Sequence, residues 1–129
     1  MFSSEAVTRG IRIHVEPQYD PTRSRPAEDL WFFLYTVTIH NQSSETVQLI
    51  SRHWVITDEA NRVEEVRGPG VVGEQPVLAP DESFRYTSGC PLKTATGTMH
   101  GSYQMVSADG DAFDAEIAPF ILSETYSVN

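Results

Sequence analysis

The apolar residues of this chain recur mainly with a period of two. Ile11, Ile13 and Val15 alternate with Arg12, His14 and Glu16, which predicts a half-buried β-strand. Trp31, Phe33, Tyr35, Val37 and Ile39 form one face of the next strand, and Phe32, Leu34, Thr36, Thr38 and His40 form the other. Over residues 47–57 the parity is split: Ile50, Trp54 and Ile56 compete with Val47, Leu49 and Val55 for the core. A bulge near Arg52 and His53 would reconcile the two sets. Residues 62–66 read as a short charged strand at a sheet edge.

The alternation continues beyond a glycine-rich stretch. Phe84, Tyr86 and Ser88 face one way, then Met99, Gly101, Tyr103 and Met105. Phe113, Ala115 and Ile117 lead into Pro119, after which the parity passes to Phe120 and Leu122, so a bulge or bend is expected at the proline. Turn-forming clusters at residues 41–44, 58–61, 79–82 and 109–111 punctuate the runs. No segment has helical periodicity, and residues 19–29, with Pro21 and Pro26, read as a long loop. The pattern predicts an all-β protein: a single antiparallel β-sandwich of seven to eight strands, immunoglobulin or fibronectin type III-like, spanning residues 1–129.

Composition narrows the function classes. The 129 residues suit one domain, and 40% are apolar. No apolar run reaches the roughly 18 residues of a membrane span, and the N-terminus has no signal-peptide pattern. Cys90 is the only cysteine, which excludes an intrachain disulfide and fits a reducing, cytoplasmic setting. The net charge of −9 disfavours nucleic acid and anionic membranes as partners.

Gly68, Gly70 and Gly73 carry the spacing of a dinucleotide fingerprint. That chemistry needs a helix after the third glycine, whose N-terminal amides and dipole hold a pyrophosphate. Here Glu74, Gln75 and Pro76 follow, with Pro80 shortly after and no capping residue. The prolines oppose a helix, and Pro69 removes one of the amides a phosphate would use. The loop is therefore expected to be a contact surface, through Arg67, Gly68, Gly70, Gly73, Glu74 and Gln75. The alternative is a weak anion nest at Arg67, Gly68, Gly70 and Gly73, or a divalent cation on surface carboxylates.

The remaining candidates are weaker. Cys90 has no sequence-adjacent base that would make it a nucleophile. His14, His40, His53 and His100 lack metal-ligand spacing, so neither a metal site nor a cofactor is expected. Arg52, His53 and Trp54 mix charge with aromatic surface. Trp54 is assigned to the core, and Arg52 either caps a sheet edge or serves an interface. Phe32 and Leu34 fall on the outward face of their strand. They would meet a partner, a second copy in a homodimer, or the loop at residues 19–29.

Several stretches together resemble the bacterial ApaG family along nearly the whole chain. They are Ser51-Arg52-His53-Trp54, the run from Glu65 through Gly68, Gly70 and Gly73 to Pro76, then Phe84-x-Tyr86-x-Ser88-Gly89-Cys90-Pro91-Leu92, and Gly97-x-Met99-x-Gly101-x-Tyr103. The resemblance implies a fibronectin type III-like sandwich. It also implies an interaction module, since related domains occur in eukaryotic F-box proteins and in a DNA polymerase delta-interacting protein. By name and gene neighbourhood the bacterial family is associated with cobalt and magnesium homeostasis and with diadenosine tetraphosphate metabolism. The resulting expectation is a non-enzymatic module that binds a protein partner.

Overall fold

The computed structural model describes residues 2–125. Nine strands build it: β1 (Ser4–Thr8), β2 (Ile11–Tyr19), β3 (Trp31–Asn41), β4 (Val47–Asp58), β5 (Val63–Pro69), β6 (Val77–Leu78), β7 (Ser83–Leu92), β8 (Thr96–Ser107) and β9 (Ala112–Ser123). The first sheet has the order β1-β2-β3-β7, and the second has the order β5-β4-β8-β9 with the short β6 also on β4. Every pairing is antiparallel. The two sheets face each other as a sandwich, in agreement with the period-two reading.

The strand count exceeds the expected seven to eight because β1 and β6 escape a pattern search. In β1 the apolar Val7 points outward and is 56% exposed, so the strand has no apolar inner stripe. β6 has only two residues. Residues 19–29 begin with the end of β2 and then form two single 3-10 turns, Pro21–Arg23 and Pro26–Glu28. Each turn starts at a proline, whose fixed φ suits a first helical position.

The core lies between the sheets. From the first sheet come Ile11, Ile13, Val15, Phe33, Val37 and Ile39; from the second come Leu49, Trp54, Met99, Tyr103, Met105 and Ile117. The split parity of β4 is resolved by a register shift between Leu49 and Ser51. The extra residue is Ile50, not Arg52 or His53 as the pattern suggested. Leu49 is buried before the shift and Trp54 after it, while Ile50 itself is exposed. In β9 the partner of Met99 is Phe120 and the partner of Gly101 is Ile117. Ala118 and Pro119 thus oppose the single residue His100, a one-residue bulge of the kind expected at the proline.

The two long sides of the sandwich differ. On one side β1 packs on β9, where the Ser4 hydroxyl donates to the Ala118 carbonyl at 2.8 Å and the Glu116 amide donates to the Thr8 hydroxyl at 3.1 Å. On the other side the edge strands are β7 and β5, and a cleft runs between them.

Candidate functional site

The glycine stretch leaves β5 at Pro69 and folds back onto β4. Val71 and Glu74 exchange both backbone hydrogen bonds, at 2.8 and 2.9 Å. This closes a two-residue turn in which Val72 has φ +43° and Gly73 φ +82°. Positive φ at both central positions is the requirement of a type I′ hairpin turn. Gly70 also has a positive φ, and a Cβ there would strike the Glu74 carbonyl. No helix follows Gly73; the chain runs into β6 instead.

Three of the loop amides are committed. The Gly70 amide donates to the Ile50 carbonyl at 2.9 Å, and those of Val71 and Glu74 donate to each other's carbonyls. Pro69 has no amide to give. The Gln75 side chain donates to the Ile50 carbonyl at 2.9 Å, and the Gln48 side chain donates to the Gln75 carbonyl at 3.2 Å. The bulge in β4 thus supplies the carbonyl that anchors the loop from two sides. The same geometry leaves Val72 at the tip, 56% exposed.

Arg52 joins this loop to the cleft. Past the bulge, β4 directs Arg52, Trp54 and Ile56 inward, opposite Gly68, Val66 and Glu64 of β5. The guanidinium lies across Gly68, where a Cβ would come within 2.9 Å of Nη2. Its Nη1 donates to the carbonyls of Pro69 at 3.0 Å and Gly70 at 2.9 Å. Arg52 therefore ties down the loop, as a sheet-edge cap would, and it also reaches the space between the sheets.

That space is a cleft of about 400 Å³ bounded by Tyr35, Arg52, Trp54, Val71, Tyr86 and Ser88. It continues along the open side past Glu64, Val66 and Cys90. Its walls are aromatic: Tyr35 and Trp54 meet edge to face at 5.2 Å between centroids. The Tyr86 and Tyr103 hydroxyls hydrogen-bond to each other across the two sheets. Burial pushes the Tyr86 and Tyr103 phenols well above the ordinary value. Burial also raises Tyr35, while Ser88 and the positive charge of Arg52 act in the opposite direction. The Trp54 indole N–H is buried and has no hydrogen-bond partner among the described residues.

Cys90 shares this inner face, yet burial pushes its thiol up to about 12, with the Glu64 carboxylate adding to the effect. A thiol in that state is a small apolar filler and a poor nucleophile. His53 lies on the outer face of β4, bonded to Glu65 at 2.7 Å, and His40 bonds Asp81 at 2.9 Å. His14 lies near Glu5 and Glu16. Among the described residues no three His, Cys, Asp or Glu side chains gather to hold one metal ion.

The predicted contact residues therefore divide. Gly70, Gly73, Glu74 and Gln75 lie together on the docked loop, with Gly68 at the end of β5 against Arg52, whereas Arg67 points to the outer face and pairs with Glu65 at 3.7 Å. Phe32 and Leu34 do face outward but are only partly exposed. Phe32 packs its ring on Gly89, and the Arg23 guanidinium sits 5.7 Å above the ring. The Phe32 amide donates to the Ser24 hydroxyl at 2.8 Å, so the 3-10 segment is what covers this residue. Sequence reasoning missed the site that Tyr35, Tyr86, Ser88 and Trp54 make with Arg52. The signal was present in the shared parity of these residues on facing strands, but it needed the position of the bulge to be read.

A family model described as the ApaG domain matches residues 21–107. Protein ApaG of Bradyrhizobium sp. (strain ORS 278) is 62% identical over 117 residues, covering 91% of this chain and 90% of the relative. Protein ApaG of Azoarcus sp. (strain BH72) is 52% identical over 120 residues, covering 93% and 94%. The crystal structure of the ApaA protein from Bordetella pertussis superposes with a TM-score of 0.86 at 52% identity, covering 88% of this chain and 92% of that one. The names of these relatives state no reaction. No helix among the described residues is long and apolar enough to cross a membrane. By the matched domain and these identities, the chain belongs to the ApaG family.

Proposed function

We propose that the chain is a non-enzymatic binding module that presents residues 70–75 and the adjoining open side of the sandwich to a protein partner in the cytoplasm. The observation that carries this reading is Val72. A β-branched residue is held at φ +43° on an exposed turn tip, where asparagine or glycine would be the relaxed choice. Local strain combined with exposed apolar surface is typical of contact positions. Ile50 and Val77, also exposed, lie on the bulge that anchors the loop and on the strand that follows it. The hydrogen bonds at Gly70, Gln75 and Arg52 fix the loop in advance, which lowers the ordering cost of association.

The phosphate-cradle alternative fares worse because the amides of Gly70, Val71 and Glu74 already have partners and no helix dipole is aimed at the loop. The test compares affinity capture from cell extract by the wild-type chain, by Val72→Asn and by Val7→Asn. Val7 is an equally exposed valine on β1. A protein retained by wild type and Val7→Asn, and depleted about ten-fold or more with Val72→Asn, is the expected result. Equal retention by all three folded chains contradicts the reading.

A further inference from the structure

We propose that the cleft at Arg52 is a binding site for a monoanionic carboxylate carried on an apolar or aromatic body. The assignment deepens the reading of this side as a contact surface, and rests on it only for the view that the carboxylate arrives on a polypeptide. Arg52 is an unusual cation for this molecule. It faces inward, and no carboxylate of the described residues lies within ion-pair distance of it, although Arg67 on the neighbouring strand and Arg62 just before it each have one. Its hydrogen bonds to Pro69 and Gly70 use Nη1 alone. Nε and Nη2 make no hydrogen bond among the described residues, and neither is sealed from solvent. A guanidinium fork with free donors at the mouth of a cleft fits the two oxygens of a carboxylate.

Donors and walls complete the site. Ser88 and Tyr35 lie on the opposite sheet, paired in register across β3 and β7, and both line the same cleft as Arg52. Trp54 lines it too and brings its unpartnered indole N–H. The rings of Tyr35, Trp54 and Tyr86, with Val71 above them, offer apolar surface to whatever carries the charge. The about 400 Å³ of the cleft suits one side chain or a small acid.

Charge selects the class of anion. The chain carries −9 overall, and Glu64 lines the next stretch of the cleft. A dianionic phosphate would meet that field with two charges, and the amides of Gly70, Val71 and Glu74 are already bonded within the loop and to its anchor. A single carboxylate matches the one guanidinium that lines this cleft.

The test is an amide and indole NMR titration of the full chain. Its probes are phenylacetate, N-acetylphenylalanine, the neutral phenylacetamide and inorganic phosphate. Saturable shifts with both carboxylates are expected at Tyr35, Ser88, Val72, Gly73 and the Trp54 indole, with about ten-fold or weaker binding of phenylacetamide. Tighter binding of N-acetylphenylalanine points to a chain carboxylate as the natural source, and tighter binding of phenylacetate to a free acid. Arg52→Met removes the fork, and Gly68→Ala displaces it by placing a methyl where Nη2 lies. Each should weaken carboxylate binding about ten-fold or more. Equal binding of phenylacetamide, tighter binding of phosphate, shifts confined to other faces, or unchanged affinity in either folded variant would overturn the assignment. The titration needs no partner protein, so equal capture by wild type and Val72→Asn would count against the loop reading and leave this site standing.

Discussion

At the scale of single residues, the account turns on Val72 and Arg52. Val72 occupies the first central position of a turn that demands positive φ at both. For a β-branched residue this conformation is costly, and asparagine adopts it more readily. Val72→Asn should therefore raise the unfolding free energy by about 1 kcal/mol while weakening partner capture. Chemical denaturation of the two proteins measures the first half. A midpoint unchanged or lowered at constant slope would show that the turn is not strained by valine. Arg52 was legible in the sequence as a residue of either edge or interface, and the structure shows that it serves the edge while facing the cleft. What the sequence could not show was its direction. That depends on whether the extra residue of β4 falls at Ile50 or at Arg52, and a bulge moved by two residues cannot be told apart by hydrophobic parity alone.

At the scale of elements, the two facing pairs of strands, β3 with β7 and β4 with β5, make the cleft, and β8 supplies its floor. The Tyr86 hydroxyl on β7 meets the Tyr103 hydroxyl on β8, so a hydrogen bond joins the sheets through the core. Burial raises Tyr35, Tyr86 and Tyr103 above the ordinary phenol value of 10.0. The sign follows from linkage. The unfolded chain ionises these phenols near 10 while the folded chain resists, so their contribution is intact below that pH and is lost as pH rises through it toward the raised values. Alkaline titration should show stability falling above pH about 10, with tyrosinate absorbance from the buried rings appearing together with the loss of β-sheet signal. Ionisation of all the tyrosines near the ordinary value with the fold intact would contradict the packing described. Most elements were readable because the long strands carry inner stripes, unbroken in β3 with Phe33, Tyr35, Val37 and Ile39, and broken by a single bulge in β4 and in β9. The exceptions are instructive. β1 turns its valine to solvent, and β6 is too short to display a period, so both are defined by their pairing partners and not by their own residues.

At the scale of the whole molecule, the sandwich is asymmetric. One long side is closed by β1 on β9, and the other keeps a cleft between β7 and β5 with the docked loop at its end. A chain with net charge −9 places an inward cation without a carboxylate partner on that open side, and next to it an exposed valine in a strained turn. The fingerprint spacing of Gly68, Gly70 and Gly73 has a structural explanation that needs no nucleotide. Gly68 makes room for Arg52, Gly70 for the Glu74 carbonyl, and Gly73 supplies the second positive φ. This open side is the face proposed to meet the partner. Photo-crosslinking in living cells tests it most directly, with a benzophenone residue placed at Val72 in one strain and at Val7 in another. The account predicts a discrete adduct from position 72 that is absent from position 7. No adduct at position 72, or the same adducts from both positions, would contradict it.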